Sequence, residues 1–290
     1  MTQPAQPNQV ATARPALYRA DRVTEFTTLT AQMLQLAQPP KGAISVYDND
    51  GQKRLFEMAG NVAVIQVSGV LLANFPYIGW SFATGYDALY CQIAQAFMDP
   101  EVKAIVLLID SGGGEVADCF DLVDWIMAAK AAAKKPIAAI LAESAYSAAY
   151  ALASTADSIA VPRTGGVGSV GVVMAHVDMS GWLKQIGVDV TLIHAGEHKV
   201  DGNTYQPLPG DVRDRWQAGC EDVRQLFCET VARNRSAAGV KLSAKDLLAT
   251  EAAIYEGPSG LANAIKLGLA DEIMPWRTAI NRVIAEVAGA

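Results

Sequence analysis

From about residue 61 onward, short runs of aliphatic and β-branched residues alternate with longer stretches whose apolar positions recur at helical spacing. VAVIQV (62–67), AIVLLID (104–110) and IAAIL (137–141) read as strands buried on both faces. Helical patterns separate them, over Tyr86 to Met98 and Val116 to Lys134. Such alternation predicts βαβ units and a largely parallel sheet. Further on, SIAV (158–161), VGVVMAHV (170–177) and VTLI (190–193) read as further strands. A helix is expected over about 179–186, and a long one from Pro209 to about Arg235. From Ser243 the chain reads as helical, with glycine stops at Gly257, Gly260 and Gly268. Before the sheet, residues 1 to about 20 read as a flexible arm, 23–37 as a short helix and 38–53 as a loop-rich connector. The expected division is an arm and linker over 1–55, one catalytic-sized domain over 56–275 and a helical tail over 276–290.

Composition narrows the function classes. With 51% hydrophobic and 18% charged residues, the 290-residue chain can bury a substantial core. Its 23 basic against 30 acidic residues give a net charge of −7, which argues against a nucleic-acid partner. Cys91, Cys119, Cys220 and Cys228 show no metal spacing and read as reduced thiols, so no metal or cofactor is expected. The polar N-terminal stretch reads as neither signal peptide nor membrane anchor, which sets a cytoplasmic location as the expectation. The most apolar stretch, Pro136 to Ser154, is broken by Glu143 and reads as a buried strand entering a buried helix.

Two segments stand out for chemistry. In LLIDSGGGEVAD (107–118) an apolar strand runs into three consecutive glycines, which let backbone N–H groups approach a ligand. The spacing matches neither a P-loop nor a dinucleotide fingerprint, and a plain strand-to-helix turn explains the glycines equally well. In ILAESAYSAAYALAS (140–154) a buried strand enters an Ala-rich helix at Ser147. A hydroxyl there suits a nucleophile, with the N–H of Ala148 placed to receive an oxyanion. Serine is also a common helix cap, and Ser144 and Ser154 compete for the role.

A nucleophilic serine needs a base. The histidines are His176, His194 and His198; between Pro136 and Gly210 the lysines are Lys184, on a helical pattern, and Lys199, in the polar loop HAGEHKVDGN. A lysine amine at its ordinary pKa of about 10.4 is only ~0.04% neutral at pH 7. Reaching ~10% neutral takes ~3.3 kcal/mol of destabilisation of the ammonium, so a lysine base has to sit in apolar surroundings. Ser169, in the glycine-rich turn GGVGSVGVV (165–173), can hold such an amine in line or serve only the turn.

Taken together, DSGGGEVA, YSAAYALAS, GGVGSVGVV, HAGEHKVDGN and YEGPSGLANAIKLGLADEI occur in the order found in the serine peptidases of the signal peptide peptidase A type. The resemblance spans about residues 60–275. MAHVDMSGWLKQIGV and HKVDGNTYQPLP resemble most the lambda-type phage head maturation proteases within that group. It implies an α/β, Clp-protease/crotonase-like fold with repeated ββα units and a helical C-terminal region. It further implies a serine endopeptidase with Ser147 as nucleophile, Lys199 as base, Ser169 as its hydroxyl partner, and Gly113, Gly114 and the Ala148 N–H as oxyanion donors. The substrates so implied are scaffold, portal or the protease itself in an assembling procapsid, and the assembly a homo-oligomer. Two departures are visible: a third glycine stands where relatives often have proline, and Ala148 and Ala149 stand where Gly-Gly is frequent. Other readings are a bacterial peptidase degrading membrane-derived peptides, a crotonase-type acyl-CoA enzyme, an inactive capsid component, and a Ser/His enzyme using His198.

Overall fold

The computed structural model describes residues 16–18, 44–46, 53–79 and 81–289. The helix expected at 23–37 lies outside the described residues. In chain order the elements are β1 (Ala16–Tyr18), β2 (Ile44–Ser45), β3 (Glu57–Ala59), β4 (Val62–Leu72), β5 (Tyr77–Ile78), β6 (Ala83–Gly85), α1 (Tyr86–Met98), β7 (Ala104–Glu115) and α2 (Cys119–Ala133). There follow β8 (Ile137–Tyr146), α3 (Ala148–Ala153), β9 (Ser158–Val161), β10 (Gly166–Gly168), α4 (Ser180–Gln185), α5 (Gly210–Ala237), α6 (Ala244–Leu248), β11 (Ile254–Glu256), α7 (Gly257–Leu267), β12 (Glu272–Ile273) and α8 (Trp276–Ala288).

The expected parallel α/β sheet is present. Its centre is β7, with β4 and β8 parallel on either side. Strand β8 divides its partners: the first half, Ala138–Ile140, pairs with β9, and the last three residues, Ser144–Tyr146, pair with β10. Both faces of β4, β7 and β8 are covered, as the continuous apolar runs require. Leu89 and Ile93 of α1, Val123 and Ile126 of α2 and Phe227 of α5 fill one side. Ala279 and Val283 of α8 pack against Val62, Val64, Val106 and Ile140 on the other, so the expected C-terminal tail is a wall of the core.

Several elements differ from expectation. β1 is a strand where a flexible arm was expected, because the edge of β7 offers its three residues antiparallel partners. The glycines after Asp110 continue β7 to Glu115 instead of turning into a helix; Gly113 and Gly114 pair with Val70 and Leu71 of β4, and α2 starts only at Cys119. Val190–Ile193 is irregular, since no neighbouring strand is there to take its hydrogen bonds, and only Gly166–Gly168 forms the strand near the expected Val170–Val177 run. Gly257 and Gly260 lie in the opening turn of α7 and stop nothing; Gly268, at φ +92°, is the one that ends a helix.

Candidate active site

At the top of β7 and β8 the sheet is irregular in both directions. Register shifts fall between Ser68 and Val70 of β4 and between Ile109 and Ser111 of β7. Bulges of this kind re-aim side chains at the ends of strands. Ser111, buried at 4% exposure, fixes the irregularity: its Oγ donates to Gly69 O at 2.7 Å and accepts from Gly113 N–H at 3.1 Å. Beyond it the strand end is held by the Tyr86 hydroxyl donating to Glu115 O at 2.8 Å, and by Ala73 N–H donating to the Glu115 carboxylate at 2.8 Å. Gly114 has no room for a side chain, for a Cβ there would lie 1.9 Å from Leu71 O. Sequence reasoning passed over Ser111; its position two residues before Gly113 was the available signal.

Ser147 stands where β8 ends and α3 begins. Its backbone is at φ +53°, ψ −123°, a conformation that costs a non-glycine residue on the order of 1–3 kcal/mol. The surroundings hold it there: Ser147 N–H donates to Gly168 O at 2.9 Å, and Ser147 O accepts from Tyr150 N–H at 2.8 Å and Ala151 N–H at 3.0 Å. The side chain is fully buried, and its Oγ has no hydrogen-bond partner among the described residues. Buried hydroxyls are nearly always paired, so an unpaired one on strained backbone is a reactive-site signature.

The competing serines are otherwise occupied. Ser154 Oγ donates to Ala151 O at 2.6 Å and accepts from Asn234 Nδ2 at 3.1 Å, a structural pairing of α3 with α5. Ser144 is a residue of β8 paired with Gly166. α3 itself is buried at every position, its alanines letting the helix axis approach the sheet closely. The Gly-Leu-Ala-Asp run anchors this helix: Tyr150 donates from its hydroxyl to Leu269 O at 2.8 Å, while the buried Arg235 donates to Gly268 O at 3.0 Å and to Asp271 at 2.6 Å.

The Ser147 to Gly168 bond brings the 165–173 turn to the nucleophile segment. β10 pairs Gly168 with Tyr146 in parallel register, so Ser169 and Ser147 are each the next residue along. Ser169 also has positive φ, +54°, and is fixed through its N–H to Ala253 O at 3.0 Å. Gly113, Gly114 and Ala148 flank the same level of the sheet, through the pairing of Ser111 with Ala145. The Gly113 N–H is engaged by Ser111 Oγ, whereas Ala148 N–H is at the first turn of α3, where backbone donors lack intrahelical acceptors.

Lys199 is not part of this cluster in the single chain. It is exposed, on a turn closed by its own N–H to Gly196 O at 3.2 Å. The apolar surroundings that a lysine base needs are therefore not supplied by the chain that carries it. The segment around it is anchored at its base, by Met179 N–H to Thr204 O at 2.8 Å and by an ion pair between Arg215 and Asp201. Its outer part projects: Trp182, Ile186, Val188, Val190 and Tyr205 are all exposed, and Ile193 is 96% exposed. The histidines make local contacts, His176 to Asn203 O at 2.9 Å, His194 to Gly196 O at 3.0 Å and His198 to Asp201 at 3.1 Å. Among the described residues no cluster of His, Cys, Asp and Glu is arranged to hold a metal, and no helix is long and apolar enough to cross a membrane.

Comparison with known proteins agrees with this geometry. The model for peptidase family S49 matches residues 129–288, which include Ser147, Ser169 and Lys199. The chain is 40% identical over 240 residues to capsid assembly protease C of Escherichia phage lambda, covering 81% of this chain and 52% of that protein. It is 39% identical over 232 residues to head-tail preconnector protein GP5 of Enterobacteria phage P21, covering 79% of this chain and 44% of that one. With protease 4 of Salmonella typhi it shares 28% over 246 residues, 85% of this chain and 37% of the relative. The chain thus spans about half the length of the phage relatives it matches. Among solved structures, an enoyl-CoA hydratase/isomerase family member aligns with a TM-score of 0.40 at 15% identity, over 81% of this chain and 74% of that one.

Proposed function

The chain belongs to peptidase family S49, and we propose that it is a serine endopeptidase that acts on proteins of an assembling phage head. The observation that carries the reading is the Ser147 hydroxyl, buried, unpaired and held at positive φ where a strand meets a helix. Ser147 Oγ attacks the peptide carbonyl carbon as its proton passes to Lys199 Nζ, with Ser169 orienting the amine. Backbone N–H groups of Gly114 and Ala148, and of Gly113 once Ser111 releases it, receive the oxyanion. The C–N bond then breaks, the amine leaves with the proton carried by Lys199, and water hydrolyses the ester on Ser147.

Lys199 takes up its role on assembly. The exposed apolar arm over 177–205 is covered by another copy of the chain, which removes water from the amine and completes the dyad. A homo-oligomer is therefore the active form. Its substrates are scaffold, portal or copies of itself, by analogy with the phage relatives named for capsid assembly. The test is to incubate the wild-type chain, Ser147→Ala and Lys199→Ala with unfolded casein and with the neighbouring scaffold protein, and to identify fragments by mass spectrometry. Cleavage by the wild type alone is expected; equal cleavage by all three sinks the mechanism.

A further inference from the structure

Next to Ser147 the edge of the sheet is occupied by the chain's own N-terminal region. Ser111 with Ala145 is the last pair between β7 and β8. Past that point β8 departs toward Ser147 and α3, and β7 continues three residues further with β4 on one side only. On the side that β8 vacates lies β1, antiparallel, with Tyr18 opposite Gly113, Leu17 opposite Gly114 and Ala16 opposite Glu115. An extended segment adding itself to an open sheet edge is the general way in which proteins capture peptides through main-chain hydrogen bonds.

The direction of β1 matters as much as its place. Because it runs antiparallel to β7, its C-terminal end is the one beside Gly113, the end toward Ser111, Ala145 and the nucleophile. A chain lying this way presents successive carbonyl groups to Ser147 as it leaves the edge. The edge is also built to receive such a strand: Ser111, Tyr86 and Ala73 fix its backbone from the β4 side, so it is rigid whether or not the other side is filled. Finally, Ser147 is fully buried, and a substrate carbonyl cannot meet its Oγ until something on this side moves.

We propose that residues 16–18 are a tethered occupant of the peptide-binding edge at Gly113–Glu115, holding the site closed until a substrate strand replaces them. The proposal rests on reading Ser147 as the nucleophile of a peptidase. With three paired residues the contact is short enough to exchange readily, and its tether returns it at high effective concentration once product leaves. The occupant thus sets a threshold: an extended, unfolded or flexible segment displaces it, whereas a folded protein, whose strands are already paired, cannot.

The test uses the full chain carrying Ser147→Ala, so that substrate is bound and not consumed. Leu17→Pro, and independently Tyr18→Pro, remove a strand donor and the extended geometry without touching the edge. Two quantities are read: amide hydrogen exchange over Gly113–Glu115, and the Kd for fluorescein-labelled unfolded casein by anisotropy. Each proline variant is expected to speed exchange on the edge at least tenfold, to leave exchange in β4 and the first half of β8 unchanged, and to tighten casein binding at least fivefold. Casein added to the parent is expected to slow exchange at 113–115 while speeding it at 16–18. The proposal is overturned by a casein Kd that is the same with and without proline, or by an edge whose exchange ignores both variants. Failure of the peptidase reading shows separately, as chains with Ser147 intact that bind casein under this competition and cut nothing.

Discussion

Ser147 is where function and stability oppose each other most sharply, and the opposition can be measured without knowing the substrate. Its hydroxyl is buried and unpaired, a condition that costs on the order of 1–3 kcal/mol relative to an apolar group of the same shape. Its backbone at φ +53° stores a further ~1–3 kcal/mol. Ser147→Ala removes the first cost and keeps the second, so the variant is expected to gain about 1–2 kcal/mol. That corresponds to a rise in Tm of roughly 2–8 °C for a domain of this size. Ser147→Gly also releases the backbone, but gives back ~0.5–1 kcal/mol of chain entropy, leaving a gain at least comparable to that of alanine. Equilibrium urea unfolding and calorimetry on the three chains read these differences directly. If Ser147→Ala instead loses ~1 kcal/mol, as a serine with an ordinary buried hydrogen bond does, the hydroxyl is paired and the argument for its reactivity fails.

Gly114→Ala is expected to cost about 3 kcal/mol, because its Cβ would meet Leu71 O at 1.9 Å, whereas Gly219→Ala, in α5 with nothing within 4 Å, should gain ~0.5–1 kcal/mol; urea midpoints of the pair check both. Arg235→Met should lose ~3 kcal/mol, leaving the Asp271 carboxylate, 31% exposed, without its cation and freeing the Gly268 carbonyl, and thermal unfolding measures it. Burial pushes the Cys119 thiol up to about 12 and the Cys228 thiol up to about 11, so both stay protonated at pH 8. An aromatic disulfide reagent at that pH should leave Cys119 and Cys228 unmodified in the native chain and reach all four cysteines in urea; rapid native labelling of Cys119 would contradict its burial.

The parallel core was legible in the sequence because its signals are local. Runs such as Ala104–Asp110 are apolar on both faces, and only a strand between helices buries them so completely. The helix from Tyr86 to Met98 was likewise bounded by its own apolar spacing and by the glycine that precedes it. Val190–Ile193 carries an equally good strand pattern and forms none, since a strand exists only where a neighbour accepts its hydrogen bonds, and that neighbour is a matter of tertiary structure. The same reason hid β1, whose three residues become a strand only at the vacated edge of β7. Three glycines read as a turn by propensity, and the pairing of Gly113 and Gly114 with β4 overrides it.

At the site, the sequence could nominate Ser144, Ser147 and Ser154 but not choose among them from the residues alone. What separates them is a backbone angle and a set of partners: Ser154 is bonded to Ala151 O and Asn234, and Ser147 to nothing through its side chain among the described residues. Lys199 remains a matter of assembly, since the burial that would make it a base has to come from outside its own chain.

The central claim, that Ser147 is a nucleophile, is tested most directly by trapping its ester. The oligomeric wild-type chain is incubated with a fluorophosphonate, and its intact mass and peptide map are compared with those of Ser147→Ala and Lys199→Ala. The account predicts one adduct per chain, on the peptide containing Ser147, absent from the alanine variant and slowed at least a hundredfold without Lys199. An adduct on another serine, or labelling of Ser147 that ignores the loss of Lys199, would contradict it.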